Sequence, residues 1–201
     1  MIELILATRN THKARELQAM LQDLDVHVIT LNEISTDLIL REDGNTFEEN
    51  ALQKARIVHQ HTKKLTLADD SGLEVYYLNG RPGVFSARYA GVGATDEMNN
   101  QKLLTEMRAV PPRRRRAQFR SVLALVGANM QEITEGICLG KLGEIPRGTN
   151  GFGYDPIFLP DGFKKTYAEL TAEEKNLVSH RAKSFAKMKE ILKSKLRFLT
   201  K

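Results

Sequence analysis

The sequence predicts an α/β fold built on a mixed sheet. Three observations carry that expectation. The chain opens with a short apolar run, Ile2 to Ala7, then a polar loop and a helical repeat, the order strand, loop, helix. A second apolar run, with Leu65 and Leu67, stops at the adjacent carboxylates Asp69-Asp70. Ala117 to Val126 reads as an apolar strand covered on both faces.

In chain order, Ile2 to Ala7 reads as the first strand, and Ala14, Leu17, Met20 and Leu21 fall on one side of the first helix. Val26 to Thr30 is the next strand. The polar segment Arg41 to Asn45 leads to a helix that starts at Thr46, where Thr46 and Glu49 have the spacing of a capping box; Ala51, Ala55 and Val58 form its buried face. Asp69-Asp70-Ser71-Gly72 reads as a turn at the end of a strand, with Gly72 letting the backbone reverse. Leu73 to Leu78 is then a separate strand that ends at Asn79-Gly80, and Arg81-Pro82-Gly83 continues as a hairpin or bent connection. Thr95 to Met107 is a helix, and Ile133 to Leu139 is expected to pair with the Ala117 to Val126 strand. Residues 140–160, with five glycines and three prolines, read as one long loop of the functional kind. Thr171 and Glu174 form another capping box, and a final helix from Ser179 carries Phe185, Met188, Leu192, Leu196 and Leu199 on one stripe.

A length of 201 residues suits one domain, or one domain with two lobes, so residues 1–201 are assigned to a single domain. The formal charge of +5 suits a polyanionic partner, either nucleic acid or a nucleotide phosphate chain. The single cysteine, Cys138, excludes an intrachain disulfide framework and a zinc-ligand cluster, which points to a reducing, cytoplasmic location. No stretch approaches membrane-spanning length, and Ile2 to Ala7 is too short, with no basic segment before it, for a signal peptide.

Four groups of residues carry candidate chemistry. Paired acids beyond a strand end, such as Asp69 and Asp70, suit a hard divalent cation over a pocket, although Asp, Ser and Gly are also ordinary turn formers. Thr8-Arg9-Asn10-Thr11-His12-Lys13, between the first strand and helix, offers hydroxyls, free helix-start amides and a cation to a phosphate; a plain helix cap is the competing account. It is not the G-x-x-x-x-G-K-[ST] loop, which is absent: Gly136 to Lys141 has the wrong spacing and Leu142 follows it. Glu42, ahead of the Thr46 cap, is a further acid in reach of a metal, or an acid at a helix N-terminus; Lys54 on that helix reads locally as surface.

Gly151-Phe152-Gly153-Tyr154-Asp155-Pro156 combines permissive backbone, two aromatic rings and a carboxylate, a set that suits a flat base and its hydrogen-bonding edge. Lys175, Ser179, His180 and Arg181 cluster at the start of the last helix, where they can donate to base carbonyls or phosphate. Arg113-Arg114-Arg115-Arg116 is the most basic run, and without interleaved aromatic residues it reads as a solvated loop before a strand.

Taken together and in order, these segments resemble the inosine triphosphate pyrophosphatase family, whose members hydrolyse non-standard purine nucleoside triphosphates such as ITP, dITP and XTP. The resemblance runs through Thr8 to Lys13, Glu42 to Ala51, Ala68 to Leu73, Gly80 to Tyr89, Gly151 to Pro156, Glu174-Lys175 and Ser179-His180-Arg181. It implies an elongated, two-lobed α/β fold with a central mixed sheet, a nucleotide cleft between lobes, and a homodimer. It also implies roles. Thr8, Arg9, Asn10, Thr11, His12 and Lys13 bind the triphosphate, with Lys54 a further phosphate contact; Glu42 and Asp70 hold Mg²⁺, and Asp70 is the expected proton acceptor. Ser71, Phe152, Gly153, Tyr154, Asp155, Lys175, His180 and Arg181 line the nucleotide pocket. Many relatives carry glycine where this chain has His12.

The implied reaction gives a nucleoside monophosphate and pyrophosphate, and so keeps such bases out of DNA and RNA. Two other readings compete with it: a Maf-like pyrophosphatase acting on pyrimidine or modified nucleotides, and a nucleic-acid-binding module using Arg113 to Arg116. The first does not account for Phe152 to Asp155 with His180-Arg181, and the second gives no reason for the Asp69-Asp70 pair. The expected partner is therefore the nucleotide, with no stable nucleic-acid partner and no membrane.

Overall fold

The computed structural model describes residues 2–34 and 38–199, with side chains as far as residue 195. Six strands form one sheet in the order β2-β1-β3-β4-β5-β6: β1 Ile2–Leu6, β2 Val26–Thr30, β3 Leu65–Val75, β4 Arg116–Gly127, β5 Met130–Leu142 and β6 Phe158–Pro160. The sheet is mixed. β1 lies parallel to both β2 and β3, whereas β5 and β6 are antiparallel, Gly140 opposite Pro160. Only Ala128 and Asn129 join β4 to β5, a connection too short for a parallel crossover, so that pair is a hairpin. The helices are α1 Thr11–Leu21, α2 Phe47–Thr62, α3 Asp96–Glu106, α4 Ala172–Val178 and α5 His180–Leu199.

The chain divides into two compact units. The first holds residues 1–70, 121–136 and 181–201, and the second holds 71–120 and 137–180. In the first, Leu4 and Leu6 of β1, Leu65 and Leu67 of β3, and Leu123 and Leu125 of β4 bury one sheet face. Leu17 and Leu21 of α1 and Phe185, Met188 and Leu192 of α5 cover that face. The stripe expected on the last helix is present through Leu192, while the side chains of Leu196 and Leu199 lie outside the described ones. In the second unit a separate core gathers Leu73, Val75, Leu103, Met107, Phe119, Phe158, Tyr167 and Leu170. Each fully buried side chain of this size contributes about 1.5–3 kcal/mol. No described helix is long and apolar enough to cross a membrane.

Three expectations are corrected here. Asp69-Asp70-Ser71-Gly72 is not a turn: it lies inside β3, which runs unbroken from Leu65 to Val75. The strand expected over Leu73 to Leu78 is the end of β3 followed by a helical turn, Tyr76–Leu78. Turn propensity lost to context, because β3 has strand neighbours on both sides and both acids have partners. The third correction concerns residues 140–160, where β5 continues to Leu142 and β6 begins at Phe158, so only the stretch between them is loop. β4 stands where expected, but only Ser121 to Val126 are buried without a break; before them burial alternates, with Gln118 and Arg120 only partly buried.

Candidate active site

Residues proposed for the phosphate end fall in the first unit. Asn10 caps α1, its Oδ1 accepting from the amides of His12 and Lys13 at 3.0 and 3.1 Å, and Thr8 Oγ1 accepts from the Asn10 amide at 3.1 Å. The helix-cap use of this loop is therefore present, with Lys13 in the first turn that Asn10 caps. The Lys13 ammonium lies 2.9 Å from Asp69 Oδ2. Arg9 is exposed and donates to the Leu38 carbonyl at 3.3 Å; Thr11 and His12 are exposed at the first turn of α1.

Asp69 is the hub of this end. It is 1 % exposed and also meets Arg181 at 3.3 Å and the Ser121 hydroxyl at 2.9 Å. Arg181, equally buried, makes a second ion pair with Glu16 of α1. Burial alone favours a neutral acid, but the Lys13 and Arg181 charges outweigh it and hold the Asp69 carboxyl well below its usual range. Arg181, in turn, is held charged against burial by Asp69 and Glu16.

Asp70 belongs to a different set. Lys54 Nζ donates to Asp70 Oδ1 and Glu42 Oε1, each at 2.7 Å, and to the Asp69 carbonyl at 2.8 Å. The surface reading of Lys54 is thereby overturned: it is 3 % exposed, on the face of α2 that also buries Asn50, Ala51, Ala55 and Val58. Asn50 ties the acid loop to the strand, with Nδ2 donating to Asp70 at 3.2 Å and Oδ1 accepting from the Gly44 amide at 2.8 Å. Thr46 caps α2 as expected, but the second half of the box differs, since Glu49 accepts from the Asn45 amide. One ammonium shared by two carboxylates leaves the cluster short of positive charge. Burial pushes the Asp70 pKa up and Glu42 adds to it, against the pull of Lys54 and Lys13; Lys54 is kept charged by Asp70 and Glu42 despite its own burial.

The two carboxylates brought together here offer oxygen, as a hard divalent cation requires. Among the described residues no group of three or more His, Cys, Asp or Glu side chains is placed to hold a metal. Two carboxylates are enough for Mg²⁺ when water and phosphate supply its other ligands.

The base-end residues fall in the second unit. Asp155, 2 % exposed, pairs with Lys175 Nζ at 2.6 Å and accepts from the Phe152 amide at 3.0 Å. Gly151 is required by that geometry: its φ is +76°, and a Cβ there would lie 2.0 Å from Asp155 Oδ2. Lys175 Nζ stands 5.0 Å from the Phe152 ring centroid, and the Tyr154 hydroxyl donates to the Ser86 carbonyl at 2.9 Å. His180, at the start of α5, is 4 % exposed and stacks on Phe119 at 4.7 Å. Ser71 is half-buried, one residue past Asp70.

Lys54 thus joins Glu42 to Asp70, and Phe152, Asp155 and Lys175 are in mutual contact. Arg181 lies with the phosphate-end residues on Asp69, and not with Lys175. The basic run divides: Arg115 is 3 % exposed, its guanidinium donating to the Met107, Val110, Leu142 and Gly143 carbonyls, and Arg116 forks onto Asp161. Arg115 is therefore structural, which removes both the solvated-loop reading and a nucleic-acid grip for it, while Arg116 and Asp161 pair at the surface with both side chains exposed. Sequence reasoning missed Asn50, Glu16 and Ser121. For Asn50 a signal was present, because Asn50 and Lys54 occupy core spacing with Ala51, Ala55 and Val58.

The sequence profile of the Ham1 family matches residues 4–191. The dITP/XTP pyrophosphatase of Caldanaerobacter subterraneus subsp. tengcongensis is 44% identical over 197 residues, 98% of each chain. That of Bacillus licheniformis is 46% identical over 193 residues, 96% of this chain and 98% of the relative. Among solved structures, a HAM1 protein from Coxiella burnetii superposes with a TM-score of 0.88 at 42% identity, covering 96% of this chain and 100% of its own. The Staphylococcus aureus Ham1 protein gives 0.86 at 39% identity, with 96% and 99% covered.

Proposed function

This chain belongs to the Ham1 family, and from that premise we propose that it hydrolyses dITP, XTP and ITP to the nucleoside monophosphate and pyrophosphate. The observation that carries the reading is that Glu42 Oε1 and Asp70 Oδ1 are brought together, each 2.7 Å from the Lys54 ammonium that they share. Glu42 and Asp70 would hold Mg²⁺, which when bound offsets the charge of the phosphate chain.

Water attacks the α-phosphorus, the bond from that phosphorus to the α–β bridging oxygen breaks, and pyrophosphate leaves with that oxygen. Asp70 takes the proton from the attacking water, a role helped by the upward push on its pKa. Lys54 keeps Asp70 in place, while the Asn10-capped loop presents its hydroxyls and helix-start amides to phosphate.

At the base end, a 6-oxopurine offers an acceptor at O6 and a donor at N1. Lys175 donates and Asp155 accepts, so the pair complements that edge, whereas adenine reverses both groups and leaves buried partners unmet. Phe152 supplies a face for stacking. Guanine shares the O6 and N1–H edge, so its exclusion must arise elsewhere on the ring.

The physiological reading is removal of deaminated purines from the nucleotide pool before they enter DNA or RNA, by a cytoplasmic homodimer. A hydrolysis panel over dITP, XTP, ITP, GTP, ATP and pyrimidine triphosphates, with and without Mg²⁺ and with products identified, tests it. Monophosphate plus pyrophosphate from dITP and XTP only with Mg²⁺ present supports the reading; comparable turnover of ATP overturns the selectivity argument. Light scattering on the purified protein checks the dimer.

A further inference from the structure

Gly153, in the middle of the proposed base loop, has both backbone polar groups held by α3. Its amide donates to Asp96 Oδ2 at 2.6 Å, and its carbonyl accepts from Asn100 Nδ2 at 2.8 Å. The spacing is what a helix provides, since Asp96 and Asn100 are four residues apart and share one face. A Cβ on Gly153 would meet nothing within 4 Å, and a cavity of about 450 Å³ lies alongside, lined by Asp96, Asn100, Phe152 and Gly153. Gly153 also adopts φ +63°, a conformation that a free loop has no reason to favour over its alternatives.

Asn100 is costly as a merely structural residue. It is 6 % exposed, and its Oδ1 has no protein partner among the described residues, so one of its polar atoms is buried without compensation. What the residue does provide is the bond to Gly153. Phe152 and Asp155 flank that glycine, and a shift of the peptide displaces the ring and the carboxylate together.

We propose that Asp96 and Asn100 are positioning residues that set the affinity of the site for its nucleotide, by fixing the Gly153 peptide and through it Phe152 and Asp155. The proposal rests on the pyrophosphatase reading above. Without the clamp the loop samples other conformations, so the fraction of protein competent to bind falls, while the phosphate-end residues keep their geometry.

The experiment is steady-state hydrolysis of dITP by wild type, Asp96→Ala, Asp96→Asn and Asn100→Ala, with thermal unfolding of each. Loss of one such hydrogen bond should raise KM for dITP about five- to tenfold with kcat within about twofold. Asp96→Asn keeps an acceptor for the Gly153 amide and should restore KM to within about twofold of wild type. A purely structural role would lower the unfolding midpoint and the active fraction, hence kcat, with KM unmoved; that result overturns the proposal, as does an Asp96→Asn protein no better than Asp96→Ala. If wild type turns over no purine triphosphate at all, the functional reading has failed, an outcome distinct from unaltered KM values in active variants.

Discussion

Asp69 and Asp70 are adjacent on β3 yet face different cations, Lys13 at 2.9 Å and Lys54 at 2.7 Å. Strand alternation is the cause. Successive side chains point to opposite faces, so Asp69 shares the face of Leu65 and Leu67, which α1 and α5 cover, while Asp70 meets α2. Asp69 has two cations largely to itself, with Glu16 sharing only Arg181; Asp70 shares its nearest cation with Glu42. One acid is therefore stabilised as the anion, and its neighbour is driven toward the neutral form.

Neighbouring substitutions should then act in opposite senses on stability. Asp69→Asn removes a buried anion held between the buried Arg181 and the partly exposed Lys13 and should cost about 3 kcal/mol. Asp70→Asn removes a carboxylate that burial disfavours and keeps an oxygen for Lys54, so its unfolding midpoint should be no lower than wild type. Its dITP turnover should nonetheless fall about 100-fold or more if Asp70 is the base. Thermal unfolding at pH 7, paired with turnover, checks both; near-normal hydrolysis by Asp70→Asn would end the assignment.

Acid should expose the Asp69 network. The folded-state pKa of Asp69 lies below its ordinary value of 3.8, so its stabilising contribution is complete above that value and declines as pH falls below it. Wild type should lose stability between pH 5 and pH 2 more steeply than Asp69→Asn, which has no such proton to bind. Urea midpoints measured across that range test the sign: parallel curves would mean that Asp69 is not held as the anion.

How far the sequence reached depends on which force decided each element. β1, α1, α2 and the Val122 to Val126 part of β4 are set by apolar patterning, and they stand where the pattern puts them. β3 is not. Asp69, Asp70, Ser71 and Gly72 are turn residues by local preference, and only neighbouring strands with Lys13, Arg181 and Lys54 make an extended path affordable for the acids. The Lys54 side chain was legible as helical but not as buried, because its partner Asp70 lies 16 residues away and is brought near only by the sheet. The Gly153 clamp was hidden for a similar reason: Asp96 reads as ordinary first-turn acid, and nothing local ties it to a loop 57 residues on.

Lys54 offers a sharper test of the shared cluster. Lys54→Met fits the buried helix face but leaves Glu42 and Asp70 without the ammonium that both use. The expected result is about 3 kcal/mol of destabilisation, with dITP turnover sharply reduced. A Lys54→Met, Asp70→Asn double variant should recover part of the lost stability but no activity, because it removes one of the stranded charges. Additive losses in chemical denaturation would show that the two side chains are not coupled.

Arg115 separates structure from charge within the basic run. Its guanidinium reaches four carbonyls, those of Met107 and Gly143 at 2.8 and 2.7 Å and those of Leu142 and Val110 at 3.2 and 3.4 Å. A lysine cannot reproduce that planar fork, so Arg115→Lys should destabilise by about 2 kcal/mol and Arg115→Met by about 3 kcal/mol. Neither change touches Asp70, Lys54, Asp155 or Lys175, so KM for dITP per folded molecule should stay within about twofold of wild type. Arg113→Ala with Arg114→Ala, both exposed, should leave stability within about 0.5 kcal/mol. Denaturation and oligonucleotide-binding titrations on the same proteins decide the matter: tight, steeply salt-dependent binding lost in the double-alanine variant would return the run to a nucleic-acid role, and its absence leaves Arg115 as the strut for the segments around Met107 and Leu142.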